Sequence, residues 1–363
     1  MIQFLSNWYR RYFSDPQAVL LAVLLIVGFA IIIFMGHMLA PVLAAIVIAY
    51  LLEGIVQQLT RVHIPRMAAV TLVFFLFMAF MLIIILGLLP MVSRQLTELV
   101  QQMPAILNDT QQWLLRLPDK YPQLLTEDQI WDFVQVIRSG IAELGQTVVS
   151  LSLASIPRLI TLLVYLVLVP VLVFFFLKDK KQILGWFTSI LPKERPLLEQ
   201  VWQEMDAQIG NYVRGKFYEI LIVGGVTFTV FSLMGLKYAV LLSALVGLSV
   251  IIPYIGATVA TIPVAIAAYI QWGWSADFGW IIFAYGIIQA LDGNLLVPLL
   301  FSEAVNLHPV AIILAVLVFG GIWGFWGVFF AIPLATLVNA LLSAWPRKGT
   351  TGIFEGAEEN QAS

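Results

Sequence analysis

The chain is 363 residues long, 61% hydrophobic and only 11% charged, with a mean hydropathy of +0.95. Soluble domains carry charge on about a quarter of their residues, so this composition excludes a water-soluble globular protein and reads as a polytopic membrane protein. The net charge of −2 leaves no basic field for nucleic acid, and the absence of cysteine excludes disulfides, thiol nucleophiles, zinc ribbons and iron–sulfur clusters.

At the N-terminus, Arg10 and Arg11 precede a long apolar run without a small-residue cleavage site, which reads as a retained first helix. Apolar runs near the roughly 20 residues that cross hydrocarbon occur at about 17–35, 68–92, 158–177, 217–235 and 278–300. Shorter or broken runs lie at about 38–52, at 238–270 around Pro253-Tyr-Ile-Gly256, and at 309–345 around Gly320-Gly-Ile-Trp-Gly324. Each of the last two reads as two helices or as a re-entrant hairpin. The expected fold is all-α and polytopic, with about eight transmembrane segments and broken or re-entrant helices in the C-terminal half.

Residues 1–92 are expected to hold the first three transmembrane helices and 93–157 a small helical extracytoplasmic insertion. Met103-Pro104 and Leu117-Pro-Asp-Lys-Tyr-Pro122 punctuate that insertion as turns. Residues 158–177 form a further span, 178–216 a cytoplasmic amphipathic segment, 217–345 a transmembrane core with broken helices, and 346–363 a disordered cytoplasmic tail. Orientation follows from charge: the 93–158 stretch is more acidic than basic, whereas Lys178–Lys216 is more basic than acidic. The positive-inside rule then places the second stretch in the cytoplasm, and Arg10/Arg11, Arg61/Arg66 and Arg347/Lys348 agree if both termini are cytoplasmic. Within 178–216, Leu198, Val201, Trp202, Met205, Ile209, Tyr212 and Val213 make one helical stripe, read as an interfacial or packing face ahead of a gating element.

Two broken regions echo each other: Ile255-Gly-Ala-Thr-Val-Ala-Thr-Ile-Pro263 and Trp326-Gly-Val-Phe-Phe-Ala-Ile-Pro333. Paired Gly/Pro-interrupted hydrophobic segments point to a secondary transporter's binding region, because unwound backbone exposes amide and carbonyl groups. The plain alternative is that Gly and Pro are common in membrane helices.

The chain has no GxxxxGKS/T loop, so ATP chemistry of the usual kind is not expected. It has no HExxH, and its histidines (His37, His63, His308) are scattered, so neither a metal site nor a cofactor is expected. Ser249 in Val246-Gly-Leu-Ser-Val250 has no histidine in a later span to activate it, and Asp292 has no obvious aspartate partner, because Asp277 sits in a polar loop. No enzyme is expected.

What remains is Asp292 in Gln289-Ala-Leu-Asp-Gly-Asn-Leu-Leu-Val-Pro298, a charge that costs on the order of 3 kcal/mol at the bilayer centre unless it faces a partner or water. Gln289 shares its helical face, Gly293 and Pro298 let the backbone open, and Asn294 adds an amide. Desolvation penalises a charged carboxyl, which suits proton exchange in a transport cycle. The alternative is a structural lock, with Asp292 capping a half-helix or pairing with Arg214 or Lys216. Gln289, Asp292, Gly293, Asn294, Pro298, Pro253 and Gly256 are the expected transport pathway. Glu303, His308, Arg214 and Lys216 are candidates for coupling or gating, and Glu53 and Glu303 read as solvated helix ends.

The ordered set Leu39-Ala-Pro41, Ala49-Tyr50, Phe176-Leu-Lys-Asp179, Asn211-Tyr-Val-Arg-Gly215, Pro253-Tyr-Ile-Gly256, Gln289 to Pro298, Asn306-Leu-His-Pro309, Gly320 to Gly327 and Ala331-Ile-Pro-Leu-Ala335 resembles the autoinducer-2 exporter family over about residues 10–345. The resemblance implies an inner-membrane permease in a homo-oligomeric assembly, pentameric as in a relative. Its members are linked to export of a small polar furanosyl signal molecule and to sodium/proton antiport. Many carry Glu where Asp292 stands, so the carboxylate here has a shorter reach. The expected function is a secondary permease for a small polar solute, signal molecule or cation, its partners being the lipid bilayer, that solute and copies of itself, with no nucleic acid. The rival is a non-transporting membrane scaffold acting through the 93–157 insertion.

Overall fold

The computed structural model describes residues 16–114, 135, 139–140, 156–192, 196–301 and 307–344. The expected C-terminal tail, the greater part of the 93–157 insertion and Glu303 lie outside the described residues. Among the described residues every regular element is helical. In chain order these are α1 (Pro16–Arg61), α2 (Arg66–Ile83), a π-helical turn (Ile84–Leu88), α3 (Leu89–Leu114), α4 (Ile156–Lys178), α5 (Lys180–Ile190) and α6 (Pro196–Leu233). There follow α7 (Ala239–Ser249), α8 (Ile255–Trp272), α9 (Ala276–Leu291), a second π turn (Asp292–Leu296), α10 (Val297–Phe301), α11 (Pro309–Phe329) and α12 (Ala331–Ala344).

Six helical stretches among the described residues are long and apolar enough to cross a bilayer: Met38–Arg61, Arg66–Gln102, Leu198–Leu233, Ile255–Trp272, Ala276–Phe301 and Pro309–Phe329. Leu163–Lys178 and Ala239–Ser249 are shorter apolar helices. Large apolar side chains such as Phe75, Leu86 and Leu317 stand exposed on these elements, as they do where the solvent is hydrocarbon.

The apolar runs at 17–35 and 38–52 belong to one helix of 46 residues, with Pro41 inside it. A proline deletes a single backbone bond, and the single Gly-His pair at 36–37 is too short a polar interruption to end the helix. The boundary that hydropathy placed at 36–37 therefore lies inside a continuous helix. The amphipathic stripe at 198–213 likewise runs without a break into the next span, within α6. Val201, Met205, Tyr212 and Val213 of that stripe are buried, whereas Trp202 is exposed. The insertion begins as a direct extension of the preceding span, α3 continuing to Leu114.

The chain divides into two compact units, one of residues 1–43, 179–214 and 303–363, the other of 44–178 and 215–302. In the second, α1, α2 and α4 share a core of Ala45, Ala49, Val56, Ala69, Val70, Val73 and Val173. A second core joins α6 to α9 around Phe231, Leu242, Val246, Ala260, Val264, Ile281 and Tyr285, with Leu99 of α3 against it. Gln95 of α3 also caps α7, its side-chain oxygen accepting from Leu241 N–H at 2.9 Å, so an orphan amide of the first turn is satisfied. Glu53, expected as a solvated end, is instead buried. Arg66 reaches it at 3.2 Å and also donates to the Leu177 carbonyl at 3.0 Å, tying α1, α2 and the end of α4 together. Such charge-assisted bonds hold more strongly than neutral ones. In the first unit, Val201 and Met205 pack with Leu198, Ile209 and Leu337, and Tyr212 meets the edge of Phe329.

The sequence echo has a structural counterpart. In the second unit α7 turns into α8 through Tyr254, whose φ is 62°, and a Cβ on Gly256 would overlap the Ser249 carbonyl. In the first unit α11 breaks at Gly324, with φ 59°, and a Cβ on Gly327 would overlap the Phe319 carbonyl. Each elbow is a left-handed residue followed within three positions by a glycine pressed on the last turn of the incoming helix. Only glycine permits that approach.

Candidate functional site

Tyr285, Gln289 and Asp292 are spaced four and three residues apart, so they fall on one face of α9 and its continuation. The helix does not stay α through Asp292. Pro298 has no N–H, and its ring would press on the carbonyl of the residue four back, Asn294, in a regular turn. The chain widens to a π turn from Asp292 to Leu296, closed by Val297 N–H donating to the Asp292 carbonyl. Asn294 spends its side-chain amide on this irregularity, donating to the Ala290 carbonyl at 2.8 Å. Gly293 has open space where a Cβ would stand, so no packing contact demands glycine there.

Two polar atoms on this face are buried without a hydrogen-bond partner, Gln289 Nε2 and Asp292 Oδ1. One is a donor and the other an acceptor. Leaving such groups unsatisfied costs about 1–3 kcal/mol each, which makes them exceptional in a native fold.

Within electrostatic reach of Asp292 is a buried ion pair on α6. Lys216 Nζ lies 2.7 Å from Glu219 Oε2 and donates to the Val250 carbonyl at 2.8 Å. The lysine also sits over the Phe301 ring, 5.2 Å from its centre, and that ring is packed on Gly215. Phe301 is the last residue of α10, so the segment beyond the π turn returns to the lysine. Lys216 is the cation that both Glu219 and Asp292 feel, and the two carboxylates act on one another.

The elbow supplies the third side. Val250, whose carbonyl binds Lys216, lies just before Pro253, and Ala257, just after Gly256, accepts the Tyr285 hydroxyl at 3.0 Å. That hydroxyl also lies against Thr261 and Gln289. The Val250 carbonyl, beyond the end of α7, is therefore met by a side chain from α6, and the Ala257 carbonyl, in the first turn of α8 and shared with Thr261 Oγ1, by one from α9.

Of the residues singled out in the sequence, Gln289, Asp292, Gly293, Asn294, Pro298, Pro253, Gly256 and Lys216 fall in or beside this cluster. Lys216 pairs directly with Glu219, not Asp292. Arg214 donates to Asn211 Oδ1 at 2.9 Å, on its own helix. His308 caps α11, its Nδ1 accepting from Val310 N–H at 3.3 Å, and it is exposed. Sequence reasoning passed over Glu219 and Tyr285. The signal for the first was Lys216-Phe-Tyr-Glu219, an i,i+3 pair leading into an apolar run, and it was lost because the helix was taken to begin at 217. The signal for the second was its place four residues before Gln289.

Comparison with known proteins gives a consistent picture. The family model described as AI-2E family transporter matches residues 21–347. The chain is 51% identical over 347 residues to PerM of Escherichia coli K12, which is named as a candidate permease, covering 95% of this chain and 98% of that one. It is 27% identical over 315 residues to YueF of Bacillus subtilis, named as a candidate transport protein, covering 85% of this chain and 84% of that one. A similarly named protein of Thermotoga maritima is 23% identical over 354 residues, covering 96% and 98%.

Proposed function

The chain belongs to the AI-2E transporter family, and on that premise we propose that it is an inner-membrane secondary permease that passes a small polar solute or signal molecule, or exchanges a cation for protons, along the face of Gln289 and Asp292. The observation that carries this reading is the unpartnered Asp292 carboxylate oxygen beside the buried Lys216–Glu219 pair. One cation between two carboxylates leaves an excess negative charge when all three are ionised. In an apolar region that excess is expensive, and a proton or a metal cation offsets it.

Asp292 then carries the exchangeable charge, Glu219 and Lys216 set its field, and Gln289 offers a donor to the moving species. Asn294 keeps the π turn open. The elbow at Pro253–Gly256 provides the backbone against which the cluster is held. The Lys178–Lys216 stretch and the C-terminus take the cytoplasmic side, and copies assemble as a homo-oligomer.

A thermal-shift screen against alkali cations, organic acids and furanosyl diols identifies the ligand class, because binding at a hundred times Kd stabilises by about 2.7 kcal/mol. Proteoliposomes with a trapped pH dye then report flux. Asp292→Asn is expected to abolish it. Unchanged flux with unchanged pH dependence removes Asp292 from the mechanism.

A further inference from the structure

Helix α5 is short; Ile183 and Leu184 are half-buried, and its apolar side chains from Trp186 onward are uncovered. Ile183, Trp186, Phe187 and Ile190 recur at i, i+3, i+4 and i+7, which is one helical face. Trp186 is 62% exposed, Phe187 56% and Ile190 66%. The two rings stack edge to face with centroids 4.9 Å apart, so they form a single aromatic surface. The opposite face carries Lys181, Gly185, Thr188 and Ser189, with both hydroxyls bonded back to their own helix, Thr188 to Gly185 and Ser189 to Trp186.

The position of this helix in the chain restricts what can cover it. Asp179 alone separates it from α4, whose apolar stretch ends at Lys178. Two residues reach about 7 Å, so α5 begins where the apolar segment leaves the hydrocarbon. Lys178, Lys180 and Lys181 cluster at that point. Aromatic and aliphatic residues on one face, with lysines at the helix start and Lys181 on the polar face, are the composition of a helix lying in the headgroup layer.

We propose that α5 is a membrane-interface anchor: Trp186, Phe187 and Ile190 insert into the acyl boundary, while the lysines engage anionic phospholipid headgroups. This requires that the chain sits in a bilayer and is indifferent to the solute carried. Its failure and the failure of the permease reading are therefore separable.

The chain has no cysteine, so single cysteines introduced into the full-length protein report one site each. Nitroxide labels on Phe187→Cys, Ile190→Cys and Ser189→Cys are compared in vesicles of phosphatidylethanolamine and phosphatidylglycerol. Labels at 187 and 190 are expected about 5–10 Å below the phosphates, open to oxygen and shielded from a water-soluble nickel chelate, with the label at 189 in water. In phosphatidylcholine vesicles, or with Lys181→Gln, the labels at 187 and 190 are expected to become more accessible to nickel. Equal nickel access at 187 and 189 overturns the proposal. So does spin–spin broadening at 187, which assigns the face to a second copy of the chain. Depth that ignores both lipid charge and Lys181→Gln overturns the headgroup half of the claim.

Discussion

The two π turns are built alike and differ in what surrounds them. Ile84–Leu88 is closed by Leu89 N–H on the Ile84 carbonyl and followed at the next position by Pro90; Asp292–Leu296 is closed by Val297 N–H on the Asp292 carbonyl and followed likewise by Pro298. Each contains a glycine with open space around it, Gly87 in the first and Gly293 in the second. The first turn is apolar throughout, and Leu86 on it is exposed. The second holds a carboxylate and an amide, with a lysine and a second carboxylate within electrostatic reach. The widened turn is thus a local answer to a proline inside an apolar helix. Whether it becomes a site depends on the side chains it turns inward.

The largest expected effect lies in the charges that only the second turn possesses. Lys216→Met leaves Glu219 buried without its cation and is expected to lower stability by about 3–5 kcal/mol, read from thermal unfolding in detergent. Adding Glu219→Leu is expected to restore stability without restoring transport. Recovery of transport in the double variant would show that the pair serves packing alone, and the two turns would then differ only in decoration.

Next in size is the proline itself. Pro298→Ala allows the regular α register and is expected to cut flux about tenfold, equivalent to about 1.4 kcal/mol in the barrier, by rotating Asp292 away from Lys216. Pro90→Ala makes the same backbone change in the apolar turn and is expected to leave flux within about twofold. Equal losses would mean that π geometry matters for the helices as a whole. The smallest effect is expected for Asn294→Ala, which frees the Ala290 carbonyl and is expected to destabilise by about 1 kcal/mol in the same unfolding assay. The first turn has no such side chain, so the corresponding Leu86→Ala change tests lipid-facing packing instead.

Much of the architecture was legible along the chain. Proline and glycine announced both elbows and the break after Asp292, because the missing N–H and the missing Cβ act on the residues next to them. Asp292 announced itself, because a charge in an apolar run has few innocent explanations. Glu53 misled for the complementary reason. It lies near the end of a predicted span, where water is the default partner, and only the fold brings to it Arg66, which the Leu177 carbonyl also holds. Helix length misled too. The Gly36-His37 gap and the polar residues between 196 and 216 read as boundaries, and both proved to be interior to long helices.

The sequence by itself determined that this is a helical membrane protein, where its helices deviate and which acidic residue is out of place, since burial in lipid and backbone chemistry are properties of short windows. Tertiary structure alone decided that Lys216 pairs with Glu219, that the Val250 and Ala257 carbonyls receive Lys216 and Tyr285, and that Asp292 and Gln289 are left with unused polar atoms. Those contacts join α6, the elbow and α9, segments separated by dozens of residues, and no local pattern records which distant group will be nearest once the helices pack.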